Sequence, residues 1–302
     1  MADAHQVDGT AHARWSCNGR RDGAQSCAMP QCNTQCDVPH SNLDVHGDTL
    51  WSSGVVHSHR TVMCVAAKAG SMAWRSLLLR SSGDRHWKEA YPVLVHGRIP
   101  RVPFLSRTTA QQFLQNDSWT RIAFVRDPAR RLYSTYVDKI VRQQASPKFL
   151  DDLSRRLNCS RNSLSSMGFP DFVARVQRTL GTRNEDMHWQ PQSAGCLSPD
   201  LAHHWQVYPA PEDPDTQQKM LECVLNSMAK RSPRPSEVLR LNDTFALLSS
   251  ADRNNHTQHT ATRANRIFTP ALLHQVHRMY RQDYSLFFSG SCSSTVLKLA
   301  TT

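Results

Sequence analysis

The sequence predicts an α/β domain in which a parallel sheet is flanked by helices. Two apolar runs, at 61–66 and 122–125, each end where a helical pattern begins. Strands that alternate with helices are typical of a parallel sheet covered on both faces. The chain has 302 residues, of which 39% are hydrophobic and 20% are charged, so it is long enough for one large domain with a buried core.

The first half of the domain is predicted to alternate strands and helices. Asp127 is placed to cap the helix that follows the second apolar run, with Pro128 at its first position. The predicted elements, in chain order, are a strand at 61–66, a helix around 74–79, a strand at 91–96, a short helix over 108–113, a strand at 122–125 and a helix from 128 to about 143.

The second half is predicted to be mostly helical. Residues 146–166 are polar and predict a loop, whereas apolar residues at helical spacing predict helices around 169–176 and 218–228. The last helix is predicted to start at Pro270 with Thr269 as its cap. Its predicted buried face consists of Leu272, Leu273, Val276, Met279 and Tyr280.

Composition divides the chain into three parts. Residues 1–58 have little periodicity and predict a disordered tail or linker, residues 59–289 form the predicted domain, and residues 290–302 form a C-terminal tail. The sequence contains no run of 18 apolar residues, and its polar N-terminus is unlike a signal peptide. We therefore predict no membrane span within this chain.

The nine cysteines are unevenly distributed. Cys64 lies in an apolar strand, where the simplest interpretation is a small buried side chain. The four cysteines before residue 40 lack the paired spacing of a zinc site. Those at 159, 196, 223 and 292 are candidates for disulfides, but the sequence does not indicate their pairing.

Two segments 58 residues apart predict anion-binding sites, namely Lys68 to Ser71 and Arg126 to Pro128. Each lies where a strand gives way to a helix, and there backbone N–H groups and the helix dipole favour a phosphate. Two such sites suggest a ligand with two phosphates. The formal net charge of +11 also favours an acidic partner, and no nucleic-acid-binding signature is present.

Four segments carry a resemblance to a known family. Residues 67–75 resemble the 5′-phosphosulfate loop of the carbohydrate sulfotransferases, in the branch that modifies HNK-1, chondroitin and dermatan glycans. Residues 124–139 resemble the 3′-phosphate site of that family. Residues 188–192, with Cys196 after them, are similar to its mid-chain motif, and residues 280–287 to the end of its C-terminal helix. The resemblance covers roughly residues 60–289.

The resemblance implies a P-loop-like fold and 3′-phosphoadenosine 5′-phosphosulfate as co-substrate, without a metal. Lys68 would meet the negative charge that develops on the oxygen between phosphorus and sulfur, while Arg126 and Ser134 would hold the 3′-phosphate. Met72 replaces a hydroxyl residue of the family, and Ala67 replaces a proline. The implied donor-binding residues are Lys68, Ala69, Gly70, Ser71, Met72, Arg75, Arg126 and Ser134.

Removal of a proton from an acceptor hydroxyl near neutral pH requires a general base, and histidine or a carboxylate suits this role. His188 is the first candidate because it lies in the mid-chain motif, although packing beside Trp189 is an alternative role. His96 is the second candidate, and Glu212 and Asp213 remain open. The predicted catalytic residues are Lys68 and His188.

These expectations favour an enzyme that transfers a sulfuryl group to a carbohydrate hydroxyl. The alternative is a catalytically inactive glycan-binding protein that retains the fold, motivated by Met72 and Ala67. A nucleotide kinase is disfavoured because the pattern of a Walker A loop is absent.

The predicted acceptor is an acidic glycan. The basic residues predicted to line its approach are Arg98, Arg101, Arg107, Arg155, Arg156 and Arg161, whereas Arg130 and Arg131 would be solvated or face the acceptor. The resemblance implies a Golgi location, and four glycosylation sequons, at Asn116, Asn158, Asn242 and Asn255, agree with a lumenal protein.

Overall fold

A computed structural model describes residues 53–87, 112–142, 147–202, 204–210, 214–243 and 267–288. Its strands are β1 (Ser53–Val56), β2 (Thr61–Val65), β3 (Thr120–Val125) and β4 (Gln206–Pro209), in that order across one sheet. β2, β3 and β4 are parallel, and β1 pairs with β2 in the antiparallel direction. The predicted α/β class with a mostly parallel sheet is confirmed.

β1 lies in the segment that the sequence analysis assigned to a linker. Only two of its four residues, Val55 and Val56, are large and apolar, so the strand has almost no pattern of its own. Its place in the sheet comes from pairing with β2, which it reaches through a short 3₁₀ turn at His57–His59. The predicted strand at 91–96 lies outside the described residues.

The helices surround this sheet, and several predicted ones are confirmed. Side chains cap two of them as predicted, because Asp127 accepts a hydrogen bond from the Arg130 N–H and Thr269 from the Leu272 N–H. The helices are α1 (Ser71–Ser81), α2 (Pro128–Tyr136), α3 (Pro147–Arg156), α4 (Arg161–Ser165), α5 (Phe169–Thr179), α6 (Pro199–Ala202), α7 (Pro214–Arg231), α8 (Pro235–Leu239), α9 (Pro270–Met279) and α10 (Arg281–Phe287).

The predicted loop at 146–166 is wrong, because α3 and α4 occupy most of it. Leu150 and Leu153 of α3 and Leu157 after it recur at helical spacing and are buried, while the residues between them are mostly charged. A narrow apolar stripe is enough to fix a helix once a neighbouring surface covers it. The high polar content hid that stripe in the sequence.

The helix that was expected to run from Pro128 to about residue 143 changes its geometry at Tyr136. α2 ends there, and Val137–Val141 form a π-helical turn, in which the Arg142 N–H donates to the Val137 carbonyl at 3.0 Å. A π-helical turn inserts one extra residue and rotates the side chains that follow it. Such turns occur frequently at functional sites.

Alternate residues of the central strands face opposite sides of the sheet. Met63 and Phe124 face the side that α1 and α7 cover, where Trp74 stacks on Phe124 with ring centroids 3.6 Å apart. Val62 and Ala123 face the other side and pack in a second apolar cluster. A third cluster joins α2, α3, α5 and α9 beside the sheet.

Cys64 of β2 forms a disulfide with Cys196, which lies 132 residues further along the chain. Cys64 is buried as predicted, at 1% exposure, but it is not the simple small side chain that the sequence suggested. The strand pattern shows that the side chain is inside and carries no information about what faces it. The bond ties the sheet to the segment that follows the His188 motif.

Replacing Cys64 with alanine is expected to lower the free energy of unfolding by about 2–5 kcal/mol, because the bond closes a long loop in the unfolded chain. Chemical denaturation measures this change. Cys159→Ala is the control, since Cys159 forms no disulfide in the described structure. Equal losses in the two variants, or a wild-type stability that does not respond to a reducing agent, would contradict the assignment.

Candidate active site

The loop after β2 has an unusual backbone. Lys68 and Gly70 both have left-handed φ values, 67° and 78°, and the Ala69 N–H donates to the Ala66 carbonyl. For lysine this conformation costs about 1–3 kcal/mol, and such strain is concentrated at functional sites. No described carbonyl accepts from the N–H groups of residues 71–73, at the start of α1. Free N–H groups at a helix start form a site for an anion.

The Lys68 ammonium group is bound by a carboxylate. Its Nζ lies 2.7 Å from Oδ2 of Asp138, and only 20% of the Lys68 side chain is exposed. Burial lowers the pKa of Lys68 although the charge of Asp138 opposes this, and the nearby Lys139 and Arg126 lower it further. Burial alone would raise the pKa of Asp138, but Lys68 and Lys139 outweigh burial and lower that pKa to about 2.

The other loop residues that were predicted to bind the co-substrate lie at the start of α1. Gly70 lies close to Trp74, since a Cβ there would be 3.3 Å from the indole nitrogen. Ser71 is half-buried and Met72 packs against the apolar cluster beneath α1, while Ala69 is fully buried. Gly70, Ser71 and Met72 can therefore contribute backbone N–H groups, and Ser71 a hydroxyl as well, whereas the Ala69 N–H already donates to the Ala66 carbonyl.

Arg75 of α1 is buried, with 8% exposure, and so is not an ordinary surface arginine. Ser134 is half-buried on α2, and its hydroxyl makes no hydrogen bond with a described residue. Ser134 lies about two helical turns after the Asp127 cap.

Arg126, at the end of β3, reaches the Lys68 loop. Its Nη1 donates to the Lys68 carbonyl at 3.2 Å, so the two segments that predicted anion sites touch each other. Burial first, and then the charge of Arg130, lower the pKa of Arg126 to about 10, which leaves the group charged at neutral pH. The contact follows from topology, because β2 and β3 are parallel neighbours and end at the same edge of the sheet.

His188 lies after α5 and is held on two sides. Its Nδ1 is 2.5 Å from Oδ1 of Asp186, and its carbonyl accepts from the Thr135 hydroxyl at 2.9 Å. Because a carboxylate only accepts hydrogen bonds when ionised, Nδ1 carries the proton and the lone pair lies on Nε2. The described residues offer Nε2 no hydrogen-bond partner.

The electrostatic surroundings keep His188 neutral. Burial has the largest effect and lowers the pKa of His188, Asp186 raises it, and the charges of Lys139 and Lys68 lower it again, so that this pKa lies below that of a free histidine. Burial would raise the pKa of Asp186, but its hydrogen bonds with His188 outweigh this and lower it. A neutral imidazole with a free Nε2 can accept a proton at neutral pH. Asp186 lies only two residues before His188, but it belongs to none of the motifs recognised in the sequence.

Arg131 is the main correction to the predicted site. It was expected to be solvated or to face an acceptor, but it is 3% exposed and joins separate segments of the site. Its guanidinium donates to the carbonyls of Ala67, Gln190 and Met187 at 2.8, 2.6 and 3.0 Å. A planar group with five donors can bridge several carbonyls at once. Arg131 thus connects the Lys68 loop to both sides of His188.

The C-terminal motif is hydrogen-bonded to the mid-chain motif. The fully buried Asp283 accepts from the N–H groups of Gln192 and Ser193, both at 2.8 Å, and the Tyr280 hydroxyl donates to the Trp189 carbonyl. Gln192 in turn exchanges two hydrogen bonds with the Arg126 backbone, each 2.8 Å long. The four segments that carry the resemblance therefore form one hydrogen-bonded unit.

Comparison with known proteins agrees with this arrangement. The family model described as "Sulfotransferase family" matches residues 53–289, which is most of the chain. The chain belongs to the sulfotransferase family. No solved structure matches it significantly.

Its curated relatives include carbohydrate sulfotransferases. Carbohydrate sulfotransferase 10 of Danio rerio is 26% identical over 170 residues, which cover 50% of this chain and 46% of that protein. Carbohydrate sulfotransferase 8 of Homo sapiens is 26% identical over 202 residues, covering 62% of this chain and 46% of that protein. The chain thus spans less than half the length of the curated relatives that it matches.

Several residues predicted for this sulfotransferase site are engaged elsewhere or lie outside the described residues. Arg156 pairs with Asp152 at 2.7 Å and lies 3.9 Å from Asp186, the partner of His188. Arg155 and Arg161 also lie in ion pairs at the surface of α3 and α4. The residues outside the described ranges are His96, Arg98, Arg101, Arg107, Glu212 and Asp213.

Two features are absent from the residues that the structure describes. These residues contain no cluster of three or more His, Cys, Asp or Glu side chains that could hold a metal ion. No helix among them is long and apolar enough to cross a membrane.

Proposed function

We propose that this sulfotransferase moves a sulfuryl group from 3′-phosphoadenosine 5′-phosphosulfate to a hydroxyl of a carbohydrate. One observation carries the proposal, namely the hydrogen bond between Arg126 and the Lys68 carbonyl. It makes the two basic loops adjacent at one edge of the sheet, as a single donor with a 3′-phosphate and a 5′-phosphosulfate requires. The names of the curated relatives support a carbohydrate acceptor.

The donor would bind across both loops. The planar guanidinium of Arg126 can donate two parallel hydrogen bonds to a phosphate. It would hold the 3′-phosphate together with the Ser134 hydroxyl. Lys68, Gly70, Ser71 and the N–H groups at the start of α1 would hold the 5′-phosphosulfate. Arg75 and the backbone of Ala69 and Met72 complete the proposed donor site.

The proposed reaction transfers SO₃ in line. The bond between sulfur and the oxygen that bridges it to phosphorus breaks, and a bond between sulfur and the acceptor oxygen forms. Nε2 of His188 takes the hydroxyl proton, and Lys68 stabilises the charge on the leaving phosphate oxygen. As in phosphoryl transfer, positioning and charge stabilisation dominate this chemistry, and none of these steps calls for a metal.

The disulfide supports a lumenal location. Disulfides persist in oxidising compartments and are rare in the cytosol, and a Cys64–Cys196 bond therefore agrees with the Golgi lumen that the family resemblance suggests.

A transfer assay tests the proposed activity. The purified chain is incubated with labelled sulfate donor and a set of glycans, some of them neutral and some bearing uronates. We expect label to appear on at least one glycan. Binding of a glycan without transfer would instead support an inactive glycan-binding protein, which the replacement of a hydroxyl residue by Met72 would then help to explain.

A further inference from the structure

The π-helical turn at Val137–Val141 brings a second cation next to Lys68. The Nζ groups of Lys68 and Lys139 lie 2.7 and 3.1 Å from the same oxygen, Oδ2 of Asp138. In an α-helix consecutive side chains diverge by about 100°, but the extra residue of the π-helical turn changes this register. The result is a cluster of two ammonium groups around one carboxylate, and it therefore carries a net positive charge.

Lys139 also lies close to His188. Its Nζ is 5.0 Å from the centre of the Phe149 ring, and that ring lies edge-on to the His188 imidazole with centroids 6.0 Å apart. The charge of Lys139 contributes to the lowered pKa values of both Lys68 and His188. Lys139 thus lies close to Lys68, which would contact the sulfate donor, and to His188, which would take the proton of the acceptor.

An acceptor hydroxyl must lie between Lys68 and His188 when it reacts. The sugar that carries this hydroxyl must therefore lie close to Lys139. The side chain of Lys139 is 20% exposed, and Asp138 and the Phe149 ring leave part of its ammonium group without a partner among the described residues.

We propose that Lys139 forms an acceptor subsite for an anionic group, a carboxylate or a sulfate ester, on the sugar that receives the sulfuryl group. Asp138 fixes the ammonium group on one side and Phe149 on another, so that its remaining N–H groups point to the acceptor. This inference rests on the proposed transfer to a carbohydrate and assigns the acceptor class to one residue.

Steady-state kinetics of Lys139→Met test the subsite with three forms of one acceptor oligosaccharide: uronate-bearing, carboxyl-reduced, and carboxyl-reduced with an added sulfate ester. We expect the KM for the charged forms to rise about ten-fold, the scale of one charge-assisted hydrogen bond, while the KM for the neutral form and for the donor stay within about two-fold. The form with the larger rise identifies the anionic group. Lys139→Arg should retain most of the preference.

Lys219→Met is the matched control, because Lys219 is exposed on α7 and its loss changes the net charge equally. An equal rise in KM for charged and neutral acceptors, or a rise in the donor KM, would overturn the subsite and indicate that Lys139 contacts the sulfuryl group. Calorimetric binding of the charged oligosaccharide separates the subsite from the proposed activity. Weaker binding by Lys139→Met alone supports the subsite even if no transfer occurs, and unchanged binding overturns it.

Discussion

Replacing His188 with asparagine is expected to lower kcat by about 10²–10⁴-fold, the usual contribution of a general base. Asparagine keeps a polar side chain of similar size but cannot take the acceptor proton. The KM for the donor should change little, since in the proposed reaction the imidazole acts on the acceptor hydroxyl. His274→Asn is the control because His274 is exposed on α9. Near-normal turnover of the His188 variant would transfer the role to another group.

The pH dependence of the wild-type enzyme provides a second readout of His188. The base must be neutral to act, so activity should fall as the pH decreases through the pKa of His188, which burial lowers from the ordinary value of histidine. Asp186 raises that pKa, and Asp186→Asn should therefore shift the acid limb to lower pH while reducing kcat. An acid limb that is the same in the Asp186 variant would show that this histidine does not limit the rate.

Replacing Lys68 with alanine is expected to lower kcat by about 10²–10³-fold, the effect of losing one preorganised group that stabilises developing charge. The donor dissociation constant should rise much less, because the ammonium group is needed most when the leaving oxygen becomes negative. Single-turnover rates and equilibrium binding of the donor separate the two effects. Lys219→Ala serves as the control for charge. A loss of affinity as large as the loss of rate would mean that Lys68 only binds the donor.

The sequence predicted those contacts in which the two residues lie close together along the chain. The caps at Asp127 and Thr269 each involve a contact three residues away, so residue type and spacing sufficed. The meeting of the Lys68 and Arg126 segments was also predictable, because the ends of neighbouring parallel strands share one edge of a sheet.

The partners of the proposed catalytic residues could not be predicted in the same way. Asp138 lies 70 residues from Lys68, in a π-helical turn that the sequence did not predict. Arg126 and Arg131 are the same residue type five positions apart, and their roles differ because of what covers each of them. Arg131 is buried among three carbonyls, and no local pattern encodes such burial.

In the proposed function, the Lys68 and Arg126 loops form one site for a nucleotide with both a 3′- and a 5′-phosphate. Calorimetry tests this site. It gives the affinities for adenosine 3′,5′-bisphosphate and for AMP, in the wild type and in Arg126→Ala. We expect the wild type to prefer the bisphosphate, and Arg126→Ala to remove about 1.5–3 kcal/mol of that preference, the value of a hydrogen bond to a charged group. Arg178→Ala, an exposed change on α5, should leave the preference unchanged. Equal affinity of the wild type for the two nucleotides would contradict the account.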